Sequence, residues 1–428
     1  RMFATAQRGT SGTGTGPSMA PHSSLTEHLS IALNTICGRV NREGDSLESG
    51  YFLYPETPRR AQVHAARTPA TGAPSRMRNL RGIRGEMLTT TLAEEILTPG
   101  EGQVRALIVS GGNPVVAWPD QELTVAAMKD LELLVVVDHR MSATAEFADY
   151  VIAPTLSLER ADVPHLMDRW FRAPYTNYTD AITERAGDVL NEWEVFWELS
   201  KRLGYPLPFP GGDAPMDERP SDDAMIDLAY AGSRMPMDEV RANRRVVHPD
   251  KAMIVSAADP TCTAKFTVAP DDIVAELGEV HLEGDSAAVL GIDPSLYPFR
   301  LVSRRLKHVL NSYGSSLSVL GAKGTSNSAY MNPQDMLDHQ LVEGDLIEIF
   351  SPRASVHGLV EAAPDVRRGV ISMAHSWGGS SLTDEKVRDI GSPTSRLVSV
   401  DKGYDRINGM VVQSAIPVRI AIAEHINH

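Results

Sequence analysis

The chain has 428 residues and a formal net charge of −14, from 41 Lys and Arg against 55 Asp and Glu. That length allows two or more domains, and the acidic excess, spread along the chain rather than blocked, argues against nucleic acid or an anionic membrane surface as a partner. Two distant cysteines, Cys37 and Cys262, supply neither a zinc nor an iron–sulfur site and no disulfide framework, which favours a reducing, cytoplasmic setting; no apolar run reaches membrane-spanning length.

Residues 1–24 are rich in Gly, Ser and Thr. Gly12, Gly14 and Gly16 read either as a flexible segment or as a phosphate cradle, and no buried strand precedes them. Leu25, Leu29, Ala32, Leu33 and Ile36 form a helical stripe that stops at Gly38. About 45–100 is irregular, with Pro55, Pro58, Pro69 and Pro74, until a short helix at Thr91–Leu97. Three short apolar runs follow, Ala106–Ser110, Leu133–Val137 and Tyr150–Ala153, stopping on Gly111-Gly112-Asn113-Pro114, Asp138 and Pro154. Such runs predict parallel strands buried on both faces, with a helix announced by Pro119-Asp120 that turns Leu123, Ala126 and Ala127 to the core. Their loops all reach the carboxyl edge of the sheet, where open α/β sheets bind ligands. Asp168-Arg169-Trp170-Phe171-Arg172 comes next, then a helix from about Asn191 to Leu203 whose core face reads as Trp193, Phe196, Trp197 and Leu199. About 205–260 reads as peripheral. From Phe299, strands and Gly/Pro turns alternate about every ten residues, which predicts a β-barrel. The fold class is therefore α/β: a parallel-sheet nucleotide-binding domain over 1–285, with irregular insertions at about 45–100 and 205–260, then a β-barrel domain over 298–428.

The ordered series of motifs resembles the C-terminal half of a molybdopterin oxidoreductase of the dimethyl-sulfoxide-reductase superfamily, formate-dehydrogenase-like in pattern. The matching residues are Gly112-Asn113-Pro114, Val137-Asp138 with Thr144-Ala145, Ala148-Asp149-x-Val151, Glu159-Arg160 and Glu192-Trp193-Glu194. A second block runs through Met331-Asn332-Pro333-x-Asp335, Gly344-Asp345, Gly369-Val370 and His375-Ser376-Trp377-Gly378 to the strand Ile416–Ile422. The resemblance implies a barrel of the double-psi type and a bis-(molybdopterin guanine dinucleotide) cofactor carrying molybdenum or tungsten.

Under that resemblance, backbone N–H groups at Gly111, Gly112 and Asn113, ahead of Pro114, suit close approach of a pyrophosphate. Asp138 would accept from ribose or guanine, Glu192 from guanine, and Arg140 and Thr144 would bond phosphate oxygens. In the barrel, Ser303, Arg304 and Arg305 would meet phosphates or the pterin, with Asn311, Ser312, His375 and Ser376 as further hydrogen-bonding groups. Each has a plainer reading: Asp138 as a turn cap, Asn113-Pro114 as a tight turn, Glu192 as a charge at a helix N-terminus, one of Arg304 and Arg305 as solvated.

Departures from the pattern are Ala153-Pro154-Thr155 after the third strand, Gln340 before the Gly344-Asp345 turn, and Ser395-Arg396-Leu397 where an amide-bearing cofactor contact is usual. Nothing here supplies the family's four-cysteine cluster, and neither a catalytic residue nor a metal ligand is assignable in this chain. The expectation is half of a catalytic unit. The partner polypeptide would carry the iron–sulfur cluster and metal ligand, with a further electron-transfer subunit. Formate oxidation or carbon dioxide reduction is one implied reaction. The competing readings are a cofactor-free structural subunit of a redox complex, a non-redox hydratase or transhydroxylase, and a plain nucleotide-binding α/β protein, which leaves the barrel unexplained.

Overall fold

A computed structural model describes residues 1–47, 52–64, 74–82, 86–163, 175–247, 253–283, 290–315, 317, 326–380 and 387–423. The segment Asp168–Arg172 lies outside them.

Helix α1 (Ser23–Ile36) begins two residues before its apolar stripe. Its first turn is capped from a distance: Asp405 Oδ2 accepts from Ser23 Oγ and Ser24 N–H, and Oδ1 from Ser24 Oγ, all at 2.8 Å. The glycine-rich segment before it is a strap along this helix. Asn34 accepts from Ser11 N–H and donates to Ser11 O, both at 2.7 Å.

After α2 (Thr89–Leu97) come β1 (Ala106–Ser110), α3 (Pro114–Ala117), α4 (Gln121–Asp130), β2 (Leu133–Val137) and β3 (Tyr150–Ile152). The strands pair in parallel in the order β1-β2-β3, with Ala106 opposite Leu133 and Val135 opposite Tyr150. Helix α4 starts on Asp120, whose side chain accepts from Leu123 N–H. Val109, Leu134 and Val136 pack with Val115, Val116, Val125 and Met128 from α3 and α4. Ala126 is exposed; the inward face of α4 is Thr124, Val125, Ala127 and Met128, one step round from the predicted stripe.

The sheet departs from expectation in its coverage. The apolar runs predicted strands buried on both faces, but among the described residues helices cover only one. Ile108 is 41% exposed and Tyr150 64%, with Leu133 on the same face also exposed. Period-2 geometry explains the split: Val109 faces α3 and α4 while Ile108 points the other way. Helix α5 (Glu192–Leu203), closed by an Asn191/Glu194 capping box and by Gly204 in the left-handed region, behaves likewise. Trp197 is buried and Trp193 half-buried, but Phe196 and Leu199 are exposed rather than part of the core. The two irregular insertions meet each other: Ser46–Leu47 pairs antiparallel with Met253–Ile254, and Arg60 bridges Ser256. They lead to α6 (Asp271–Glu283).

From Phe299 the strands β4 (Phe299–Arg304), β5 (Ala329–Met331), β6 (Leu346–Phe350), β7 (Ser355–Ala362), β8 (Val370–Ala374) and β9 (Ile416–Ile422) form a closed barrel, in the order β4-β8-β5-β7-β6-β9. Pairs β4–β8 and β5–β7 are parallel; the others are antiparallel. Alternate residues fill the interior: Leu301, Met331, Ile347, Ile349, Ile371, Met373 and Val418 are fully buried. The two units join through polar contacts. Arg353 donates to both Asp120 oxygens at 2.8 Å, Gln121 bonds Arg396 and the Gly379 carbonyl, and Ser395 Oγ donates to Val116 O.

Candidate functional site

The carboxyl ends of β1 and β2 carry the first half of the site. Gly111, at φ +62°, turns the chain away from β1, a conformation that glycine adopts without Cβ strain. Its N–H is not available to a ligand, because it donates to Val137 O and extends the ladder by one rung. The free donors at this strand end are Gly112 and Asn113 N–H, to which no described residue offers an acceptor. Pro114 opens α3 at its first turn, where a missing N–H is harmless.

Asn113 and Thr144 are occupied with each other. Asn113 Oδ1 accepts from Thr144 N–H (3.2 Å) and Oγ1 (2.8 Å), and Val115 N–H donates to Thr144 Oγ1. Thr144 is fully buried, so this pair fixes the β1 loop against the β2 loop rather than pointing into open space. Asp138 Oδ1 accepts from Arg140 N–H and lies 3.3 Å from His139 Nδ1; no described residue donates to Oδ2. The Arg140 guanidinium has no partner among the described residues, which leaves a cation at the edge. Glu192, first residue of α5, reaches back to β1, where Ser110 Oγ donates to its Oε1 at 3.1 Å. One carboxylate thus stands beside Gly111 and another follows β2.

The second half is the matching end of the barrel. Strands β4 and β8 run parallel with Arg304 opposite Ala374, so Arg305 and His375 leave the barrel as neighbours. Asn311 and Ser312 form the tip of a tight turn closed by reciprocal Leu310–Tyr313 backbone bonds, with Asn311 at φ +54°. Asn311 Oδ1 accepts from Arg305 and lies 3.0 Å from His375 Nε2. Burial, and the Arg305 charge beside it, push His375 below its ordinary pKa. Ser376, buried at φ +62°, follows in the same loop. Ser303 is exposed at the end of β4.

Two residues sit apart. Arg304 lies on the outer barrel wall, stacked 4.0 Å from the Tyr330 ring centroid, as alternation along β4 demands. Ser395 is consumed by its bond to Val116 O in the contact between the units, beside Arg396, whose guanidinium is buried on Gln121.

The two halves touch. The rings of His139, after β2, and Tyr313, in the barrel turn, meet edge-on with centroids 5.2 Å apart. Sequence reading passed over both, although each adjoins a residue it selected, Asp138 and Ser312. Ser110, which holds Glu192, was also missed. Asn327 was missed with no signal to find it: buried, it donates to Ala374 O (2.7 Å) and Ser392 O (2.9 Å) and so anchors the loop carrying His375. Gly378 in that loop, at φ +81°, lies so close to Pro393 that a Cβ would sit 2.7 Å from its Cδ.

Comparison with known proteins assigns both units. The family Molybdopterin oxidoreductase matches residues 16–202, and the Molydopterin dinucleotide binding domain matches 299–410. The chain is 25% identical over 290 residues to a dimethyl sulfoxide/trimethylamine N-oxide reductase of Cereibacter sphaeroides, covering 62% of this chain and 34% of the relative. It is 22% identical over 294 residues to the F420-dependent formate dehydrogenase subunit alpha of Methanocaldococcus jannaschii, covering 66% of this chain and 40% of that one. The structure of acetylene hydratase from Pelobacter acetylenicus shares the fold, with a TM-score of 0.59 at 17% identity, over 78% of this chain and 46% of that one. The chain thus spans less than half the length of each. Sheet unit and barrel unit, each matched in the same order, make this chain a member of the molybdopterin oxidoreductase superfamily that includes the dimethyl sulfoxide reductases.

Proposed function

We propose that this chain is the cofactor-holding half of a molybdenum or tungsten oxidoreductase, and that the joined edges of sheet and barrel grip a bis-(molybdopterin guanine dinucleotide). The observation that carries this reading is the His139–Tyr313 contact, which joins the loop edge of the sheet to that of the barrel. The donor set of the joined edges fits the group. Gly112 and Asn113 N–H and Arg140, which has no partner among the described residues, suit phosphate oxygens, while Asp138 and Glu192 offer acceptors for guanine or ribose. Arg305, Asn311, Ser312, His375 and Ser376 would in this reading hydrogen-bond the pterin, with Ser303 at the rim. In this reading Gly111 shapes the turn, Thr144 braces Asn113, and Arg304 and Ser395 support the barrel and its contact with the sheet. The parallel pairs β4–β8 and β5–β7 support a barrel of the double-psi type.

When bound, the cofactor supplies two-electron or oxygen-atom exchange with a small substrate; formate/carbon dioxide is the substrate pair we favour, on the formate-dehydrogenase-like pattern. This chain's residues bind and orient it. The open sheet face at Ile108, Leu133 and Tyr150 supports a large interface with the complementary half, which would carry the iron–sulfur cluster and the metal ligand. A permanent contact of that kind buries on the order of 2,000 Å2 or more. The test is metal and guanine-nucleotide analysis of protein purified alone and with the co-purifying polypeptide. Molybdenum or tungsten with released GMP is expected in the complex and little in the chain alone. No metal and no GMP in the complex overturns the reading; stoichiometric loading of the chain alone overturns the half-site.

A further inference from the structure

Three side chains at the barrel end define each other's hydrogen-bonding direction. Arg305 has only donors, so the Asn311 atom facing it must be the amide oxygen. A flipped amide would set N–H against N–H. The same Oδ1 lies 3.0 Å from His375 Nε2. An acceptor there requires that Nε2 carry the proton. The Asn311 backbone is held in place, because it occupies a left-handed position in a two-residue turn closed at both ends by Leu310–Tyr313 bonds. Asparagine is among the few residues that take that conformation readily. His375 is held from the other side by Asn327, which anchors the carbonyl of the preceding Ala374.

We propose that Arg305 and Asn311 are positioning residues that fix His375 as the neutral Nε2–H tautomer and leave Nδ1 as a hydrogen-bond acceptor for a ligand N–H. No described residue donates to Nδ1. The neutral state follows from the same neighbours: burial and the Arg305 cation both disfavour imidazolium. A protonated histidine could only donate at this position; the fixed tautomer accepts. On the proposed function, the complementary partner is a pterin ring N–H, so this deepens that reading and rests on it for the ligand's identity. The tautomer itself rests only on the protein.

The experiment is two-bond 1H–15N correlation of histidine-labelled full chain, with the His375 signals identified by their loss in His375→Gln. The expected wild-type pattern at pH 7 is one protonated nitrogen at Nε2 and one bare nitrogen at Nδ1. A wild-type ring protonated at Nδ1, or charged at pH 7, overturns the proposal. Asn311→Leu should lose the single-tautomer pattern. Asn311→Asp keeps the acceptor, so it should keep Nε2–H and raise the His375 titration midpoint by about 1 pH unit, since a carboxylate favours the cation. An unchanged tautomer in Asn311→Leu would remove the role of Asn311. The wild-type spectrum decides the tautomer even if a variant fails to fold. Metal and GMP analysis of the complex is scored separately: a fixed tautomer without cofactor would leave this inference standing and sink only the ligand assignment.

Discussion

The barrel and the sheet are built from similar apolar strands, yet one is finished and the other is not. Each barrel strand has two neighbours, and the interior is filled by residues with no solvent exposure. Among the described residues, the three-stranded sheet has open edges and one bare face that displays Ile108, Leu133 and Tyr150. Closure lets a sheet bury its own inner face; an open sheet needs a second layer on each side. The lesson is that an apolar strand pattern does not by itself report how many faces of the strand are covered.

The sharpest way to break that contrast is to truncate one residue in each unit. Ile371→Ala inside the barrel should cost about 2–5 kcal/mol, through lost transfer energy plus a cavity. Ile108→Ser on the bare face should change the stability of the isolated chain by no more than about 0.5 kcal/mol and, if the proposed complementary half binds there, weaken that association. Urea unfolding and co-purification measure the two. Equal destabilisation would mean that Ile108 is already covered.

Next in size is the seam. Gln121 is completely buried, bonding Arg396 from the barrel and the Val115 and Gly379 carbonyls. Gln121→Leu should cost about 1–3 kcal/mol, because the polar groups it serves stay buried without it. Calorimetry should then show the barrel and sheet units melting apart. A single unchanged transition would show that the two units do not depend on this bond.

A smaller effect should separate the units by pH. His22 is clamped between Glu276 (2.7 Å) and Glu283 (2.9 Å) of α6, with Glu279 close by and paired to Arg406. Burial acts to lower its pKa, but the two carboxylates outweigh it and the value is raised. A raised pKa stabilises the fold fully below the unfolded value of about 6.5, and that contribution is lost as pH rises through the folded value. Stability should therefore fall over that window in the wild type and stay flat in His22→Gln. Hydrogen exchange should localise the change to α1 and α6 and spare the barrel.

The smallest effect on stability is expected at the site. Asp138→Ala should leave unfolding within about 0.5 kcal/mol of wild type while cofactor retention in the assembled protein falls several-fold. Unchanged metal content in that variant would remove Asp138 from the proposed site.

The places of many candidate-site residues were legible because they follow strand ends directly. Gly112-Asn113, Asp138, Arg305 and His375 each stand within three positions of a strand's end, and parallel strands deliver such positions to one edge. Roles were less legible than places. Nothing local marks Thr144 as a brace for Asn113, or Arg304 rather than Arg305 as the residue on the outer wall, because those outcomes depend on partners 31 residues away and on barrel phase. Asn327 lies 47 residues from the carbonyl it anchors and carries no pattern.

The order of elements, the carboxyl-edge loops and the switch from sheet to barrel at Phe299 were determined by the sequence itself, because hydrophobic period and turn chemistry act over a few residues. Which donors remain free was decided only in three dimensions. Gly111 spends its N–H on Val137, Ser395 its hydroxyl on Val116, and Asn113 its carbonyl on Thr144. A buried polar group must find a partner wherever the fold brings one, and the groups left over at the joined edges are what the protein can offer to a ligand.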